Sequence, residues 1–103
     1  MTAAATAFKV LTAQQWADFE RERVFRGAPV DVADGYIHLS TADQLEGTLA
    51  KHFAGQSDLR IAEVALAPLG AAVRWEESRG GALFPHLYGE LPMHAVVGLS
   101  KRD

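Results

Sequence analysis

The stretch DGYIHLST, Asp34 to Thr41, decides how the chain is organised. It reads as a short apolar strand running straight into a helix. Side chains alternate along a strand, so Tyr36, His38 and Ser40 share one face and Ile37 and Leu39 take the other. The aliphatic pair belongs to a core. The opposite face then gathers an aromatic ring, an imidazole and a hydroxyl at the mouth of a helix. Unpaired N–H groups at such a helix start suit anionic or hydroxyl-rich ligands. The plain structural alternative is that His38 bonds a neighbouring carbonyl and Ser40 caps the helix.

On the C-terminal side, Thr41 and Gln44 form a capping box, and Leu45, Leu49 and Phe53 repeat at helical spacing until Gly55 stops the helix. On the N-terminal side lies the loop APVDVAD, preceded by TAQQWADFERERVF. That segment is a second helix, opened by the Thr12–Gln15 capping box and a Leu11–Trp16 staple and ended by Gly27, Ala28 and Pro29. Trp16, Phe19 and Arg23 share one of its faces. Strands are expected at FKVL before it and at LRIAEVAL, AAVRWE, ALFPHLYG and MHAVVGLS after the helix that starts at Thr41. Pro85 cannot donate to a ladder, so it should lie at an edge or a bulge.

The order β-α-β-α followed by a run of strands favours an α+β fold over a doubly wound α/β one. The 103 residues fit a single domain, 1–103. Ten Lys+Arg against thirteen Asp+Glu give a net charge of -3, the wrong sign for tracking a phosphate backbone, so nucleic acid is not the expected partner. The chain has no cysteine, which excludes disulfides, thiolate metal sites and a cysteine nucleophile. No signal peptide opens MTAAATAFKV and no apolar stretch is long enough to cross a bilayer, so the expected location is cytoplasmic, with no membrane partner.

A second cluster, RWEESRGGALFPHLYG at 74–89, surrounds Gly80 and Gly81 with charged and aromatic groups. In an extended chain Phe84, His86 and Tyr88 share a face, as do Arg74 and Glu76, while Trp75 points with Val73 towards the core. Glu76 is the carboxylate best placed for chemistry, with the arginines nearby keeping it ionised. The bland alternative is a hairpin loop with a solvated arginine. The four histidines are isolated from one another in the sequence, so no metal is expected. There is no G-x-S-x-G elbow, P-loop or GxGxxG.

Together, DGYIHLST at 34–41 and RWEESRGGALFPHLYG at 74–89 resemble a small bacterial family catalogued as domain of unknown function 952. The resemblance runs from FKVLTAQQW to the MHAVVGL strand. Through that family the chain distantly resembles the ADP-ribosyltransferase-like superfamily. The resemblance therefore implies two small, mainly antiparallel β-sheets packed across each other with two main helices, and NAD in the cleft between the sheets. In the poly-ADP-ribose polymerase branch a histidine two residues before a hydroxyl residue contacts an NAD ribose. His38-Leu39-Ser40 looks like that motif, with leucine where the branch has glycine. The branch's later tyrosine and catalytic glutamate have no matching motif here; Glu76 and Glu90 are the carboxylates on offer.

The leading expectation is a cleft for NAD, ADP-ribose or a related ribose-containing metabolite, lined by His38, Ser40, Arg79, His86 and Tyr88. Catalysis there would be glycosidic-bond chemistry at ribose, with Glu76 and His38 as the catalytic pair. His38 would orient the ribose, Tyr88 would stack on a ring and Arg79 would hold phosphate. The alternative is a non-catalytic protein-interaction module, because Tyr, Trp and Arg also anchor interfaces.

Overall fold

The computed structural model describes residues 5–103, and the side chain of Arg79 lies outside the described residues. The elements in order are β1 (Thr6–Thr12), α1 (Ala13–Glu22), β2 (Val24–Phe25), α2 (Pro29–Asp34), β3 (Ile37–His38) and α3 (Ala42–His52). There follow β4 (Leu59–Ala65), β5 (Val73–Glu77), β6 (Leu83–Leu87), β7 (Leu91–Pro92) and β8 (Val96–Arg102), with short 3-10 turns between. All the strand pairs are antiparallel. They form a sheet ordered β1-β4-β8, a second ordered β3-β6-β5, and the small pair β2-β7. This is an α+β architecture.

Both long helices begin as their capping boxes dictate. Gln15 N–H donates to Thr12 Oγ1 at 3.1 Å while Thr12 N–H donates to Gln15 Oε1 at 2.9 Å. The reciprocal pair at Thr41 and Gln44 measures 3.2 and 3.0 Å. Each box satisfies two N–H groups that the first helical turn would otherwise leave unpaired. The first helix is shorter than its sequence pattern suggests. It stops at Glu22, where Arg23 adopts φ 65° and donates its N–H to Phe19 O. Val24 and Phe25 are thereby released to pair with Pro92 and Leu91, which buries Phe25 and Leu91.

One core joins the sheets. Ala7, Leu11, Ala62 and Val64 come from the β1-β4-β8 sheet, and Ile37 and Leu87 from the β3-β6-β5 sheet, with Phe19 filling in from α1. Removing each large aliphatic or aromatic side chain from water contributes roughly 1.5–3 kcal/mol before entropy is charged against it. A smaller cluster of Val10, Leu49, Leu59 and Ile61 seats α3.

Several expectations need correction. The segment APVDVAD is mostly a helix: Pro29 starts it with a pre-set φ, Asp31 accepts the Ala28 N–H at 2.8 Å, and Gly35 closes it at φ 90°. The strand at Gly35–Ser40 shrinks to Ile37–His38. The last strand starts only at Val96, because Met93–Ala95 is a 3-10 turn. Trp75 is 38% exposed and is not a core anchor. The core ends at Val73 on that strand, and the hairpin runs on past it.

Pro85 sits neither at an edge nor at a bulge. It lies in β6, the middle strand of its sheet, in unbroken register opposite Trp75. In an antiparallel ladder a residue's N–H and C=O face the same neighbour. Pro85 O accepts from Leu39 N at 3.1 Å, so its missing N–H faces the β3 side. The β5 ladder loses nothing, and the β3 ladder ends at His38. The chain then crosses to the other sheet, where Ser40 N donates to Phe8 O at 2.9 Å and Phe8 N to Ser40 O at 2.7 Å. The opening stretch is thus the hinge between the two sheets.

Candidate functional site

The site is built around that crossing. Antiparallel pairing sets His38 directly opposite His86 on β6. Their ring centroids are 5.6 Å apart, nearly edge to face. Tyr36 lies over His86 with centroids 4.1 Å apart and planes 23° apart, and tilts against His38 at 4.6 Å.

Each histidine is held by a carboxylate. His38 Nδ1 is 2.6 Å from Asp31 Oδ1, and His86 Nδ1 is 2.8 Å from Glu76 Oε1. An ionised carboxylate only accepts hydrogen bonds, so each Nδ1 is assigned a proton. The second nitrogen of His38 lies 3.0 Å from Asp34 Oδ2. The six-residue helix α2 therefore brings two carboxylates to one imidazole, Asp31 from inside and Asp34 from the rim.

Asp31 is the anchor of this arrangement. Its side chain is 1% exposed and faces the Lys9 ammonium at 2.9 Å. Its oxygens also accept the backbone N–H groups of Ala28 at 2.8 Å and His38 at 3.1 Å. Burial pushes its carboxyl up, but His38, Lys9 and the Ala28 N–H outweigh that and hold it down at about 2. Burial also lowers the Lys9 ammonium, against the pull of Asp31. A buried pair of this kind persists only because every lone pair and proton is matched, and Lys9 adds a bond to His38 O at 3.2 Å.

Glu76 is held below the usual carboxylate range by the hydrogen bond from His86, then by that from Tyr88 Oη at 2.8 Å. Arginine, the expected cause, contributes less: Arg74 lies over the Tyr88 ring at 4.5 Å. The bond to Glu76 raises the Tyr88 hydroxyl.

A cavity of about 560 Å³ opens beside the histidines. Phe8, Val10, Phe53 and Phe84 supply apolar wall, while His38, Ser40, Thr48 and His86 supply polar groups. That size and mixture are typical of small-molecule sites. Ser40 is 4% exposed, and its hydroxyl lies 2.7 Å from Thr48 Oγ1 on α3.

The structure therefore brings His38, Ser40 and His86 to one cavity. Glu76 and Tyr88 stand behind His86 and do not form the wall. Arg79 belongs to the turn Arg79–Gly81, and its side chain lies outside the described residues; the adjacent Ser78 does border the cavity. Sequence reading missed Asp31, Asp34 and Lys9. Asp31 and Asp34, one helical turn apart after Pro29 and before Gly35, were the available signal. Lys9 gave none, since alternation alone makes it a solvent-facing strand residue.

No curated protein matches the chain. The crystal structure of protein CC0527 from Caulobacter crescentus is 42% identical, covers 95% of this chain and 86% of its own, and superposes with a TM-score of 0.92. The solution NMR structure of CC0527 is 41% identical over 95% of this chain and 84% of its own, with a TM-score of 0.84. The profile of the family described as "Protein of unknown function (DUF952)" matches residues 10–99. The chain belongs to this family of proteins of unknown function.

Proposed function

We propose that the cavity binds a ribose-containing metabolite, NAD, ADP-ribose or a relative, and that His38 contacts a ribose hydroxyl. One observation carries the reading: an imidazole fixed through Nδ1 by the buried carboxylate of Asp31 lines a cavity of nucleotide-compatible size. The ring's other nitrogen, Nε2, faces Asp34 Oδ2 at the rim at 3.0 Å, and in this reading a ribose hydroxyl takes that place or bridges the two. Phe8, Tyr36 and Phe84 offer ring faces and edges for a base. The likeness of His38-Leu39-Ser40 to the histidine motif of NAD-binding ADP-ribosyltransferase-like proteins agrees with this.

Leu39 argues for ribose recognition over nicotinamide recognition. Its N–H is already donated to Pro85 O, and a leucine stands where the resembling motif has glycine. In this reading Ser40 forms the cavity floor with Thr48, and Glu76 and Tyr88 act through His86. The Ser78–Gly81 turn, which carries Arg79, borders the cavity through Ser78, and in this reading it is the turn that meets a phosphate. A carboxylate for glycosidic-bond chemistry at ribose is better placed at Asp34, on the cavity wall, than at Glu76.

Calorimetric titration with ADP-ribose, NAD and nicotinamide tests the proposal. ADP-ribose and NAD are expected to bind, nicotinamide alone is not, and His38→Ala should weaken binding about tenfold or more. Absence of binding by both nucleotides at millimolar concentration would contradict it. Exposed Trp75 and Leu83, at 38% and 54% on one hairpin, favour a second reading as a protein-interaction surface. That reading predicts that Trp75→Ala removes a partner and leaves ADP-ribose binding intact.

A further inference from the structure

His38 and His86 occupy directly paired positions on neighbouring strands, and both border the cavity. Each ring is oriented by its own carboxylate through Nδ1, at 2.6 Å from Asp31 and 2.8 Å from Glu76. Two imidazoles oriented in this way, 5.6 Å between centroids, can present a general acid and a general base to one substrate.

The surroundings restrict what such a pair can act on. Asp34 reaches within 3.0 Å of His38 Nε2, so an anionic reacting group would be repelled there. Lys9 is already neutralised by Asp31 and cannot offset that charge. The chain has no cysteine, and the Ser40 hydroxyl is engaged with Thr48. The pair therefore suits a substrate that is neutral at its reacting centre and carries both its own nucleophile and its own leaving group. A sugar hemiacetal meets both conditions.

We infer that His38 and His86 form an acid–base pair that opens and recloses the hemiacetal of a free ribose end, such as the terminal ribose of ADP-ribose, interconverting its anomers. This rests on the ribose reading of the site and selects, among its ligands, those with an unsubstituted anomeric hydroxyl. In the opening step the neutral imidazole takes the proton of the anomeric hydroxyl, and the O–H electron pair becomes the C1=O π bond. The bond from C1 to the ring oxygen breaks, its electron pair stays on that oxygen, and the imidazolium supplies the proton. Rotation about C1–C2 turns the aldehyde over. Reclosure runs the same transfers in reverse from the other face and restores both histidines, so nothing is consumed. Asp31 and Glu76 are positioning residues that keep the two rings aimed.

The test uses ADP-ribose with exchange NMR at its anomeric signals, while amide shifts of the labelled protein report binding in the same samples. Wild-type protein is expected to speed anomer exchange well above the buffer rate. His38→Ala and His86→Ala should each lose about 100-fold or more of that acceleration. If His86→Ala does not fold, Glu76→Gln keeps the ring and should lower the rate with an altered pH profile, which a purely structural role would not produce. Amide shifts at the cavity with exchange at the buffer rate would overturn the inference and leave the ligand reading standing. Full acceleration by His38→Ala would also overturn it. No amide shifts and no acceleration would overturn both.

Discussion

His38 Nδ1 lies 2.6 Å from Asp31 Oδ1, and the same carboxylate, 1% exposed, faces the Lys9 ammonium at 2.9 Å. One aspartate thus does two jobs: it neutralises a buried cation and it aims an imidazole at the cavity. The site's geometry and the protein's stability are coupled through Asp31.

The first consequence concerns Asp31→Asn. The substitution keeps the side chain's size but leaves Lys9 charged and buried without a counter-ion. Loss of one partner of a buried pair costs about 3–5 kcal/mol, so urea denaturation should show a loss of that order. Adding Lys9→Met should recover much of it, because the orphaned charge is then gone. A double variant as unstable as Asp31→Asn would show that the pair is not the source.

Acid stability follows from the same carboxyl. Its folded value, about 2, lies below the ordinary aspartate value near 3.9. Its contribution is therefore complete above roughly pH 4 and is lost as the pH falls through 2, amounting to roughly 2–3 kcal/mol. Stability curves of wild type and Asp31→Asn should converge by about that much over this window. Parallel curves would contradict the assignment.

Ser40 and Thr48 should behave as structure more than as ligand contacts. Ser40→Ala removes the hydroxyl pair between the strand crossing and α3 and is expected to cost about 1 kcal/mol by chemical denaturation. Binding of ADP-ribose should fall less than for His38→Ala. The reverse order would make Ser40 the main contact.

Trp75 and Phe19 separate exposed from buried aromatics. Phe19, 1% exposed between sheet and helix, should cost about 3–5 kcal/mol on truncation to alanine. Trp75→Ala should cost clearly less in the same measurement, since the ring is 38% exposed. Equal losses would imply that Trp75 is covered in solution.

The legible parts of the fold were those with local chemistry. Thr12–Gln15 and Thr41–Gln44 announced two helix starts because capping is written in side chains three residues apart. The split of Ile37 and Leu39 from His38 followed from strand alternation, and Ile37 and Leu39 are indeed buried. Features set by distant partners were not legible. Lys9 is buried only because Asp31, twenty-two residues on, meets it. Pro85 is tolerated in a middle strand because the neighbouring strand departs at Leu39. Trp75 is exposed because the hairpin outruns the core. In the site, His38, Ser40 and His86 came together as their strand faces implied. Asp31 and Asp34 were overlooked because a six-residue helix has too little periodicity to stand out from a loop.

The most direct measurement is a two-dimensional amide NMR titration of wild type and His38→Ala with ADP-ribose. Shifts are expected to cluster at 36–40 and 84–86, with neighbours in α2 and at Phe8, and to vanish in the folded His38→Ala protein. Millimolar ADP-ribose that moves none of these amides, or moves them equally in both proteins, would contradict the assignment of His38 as the residue that reads the ligand.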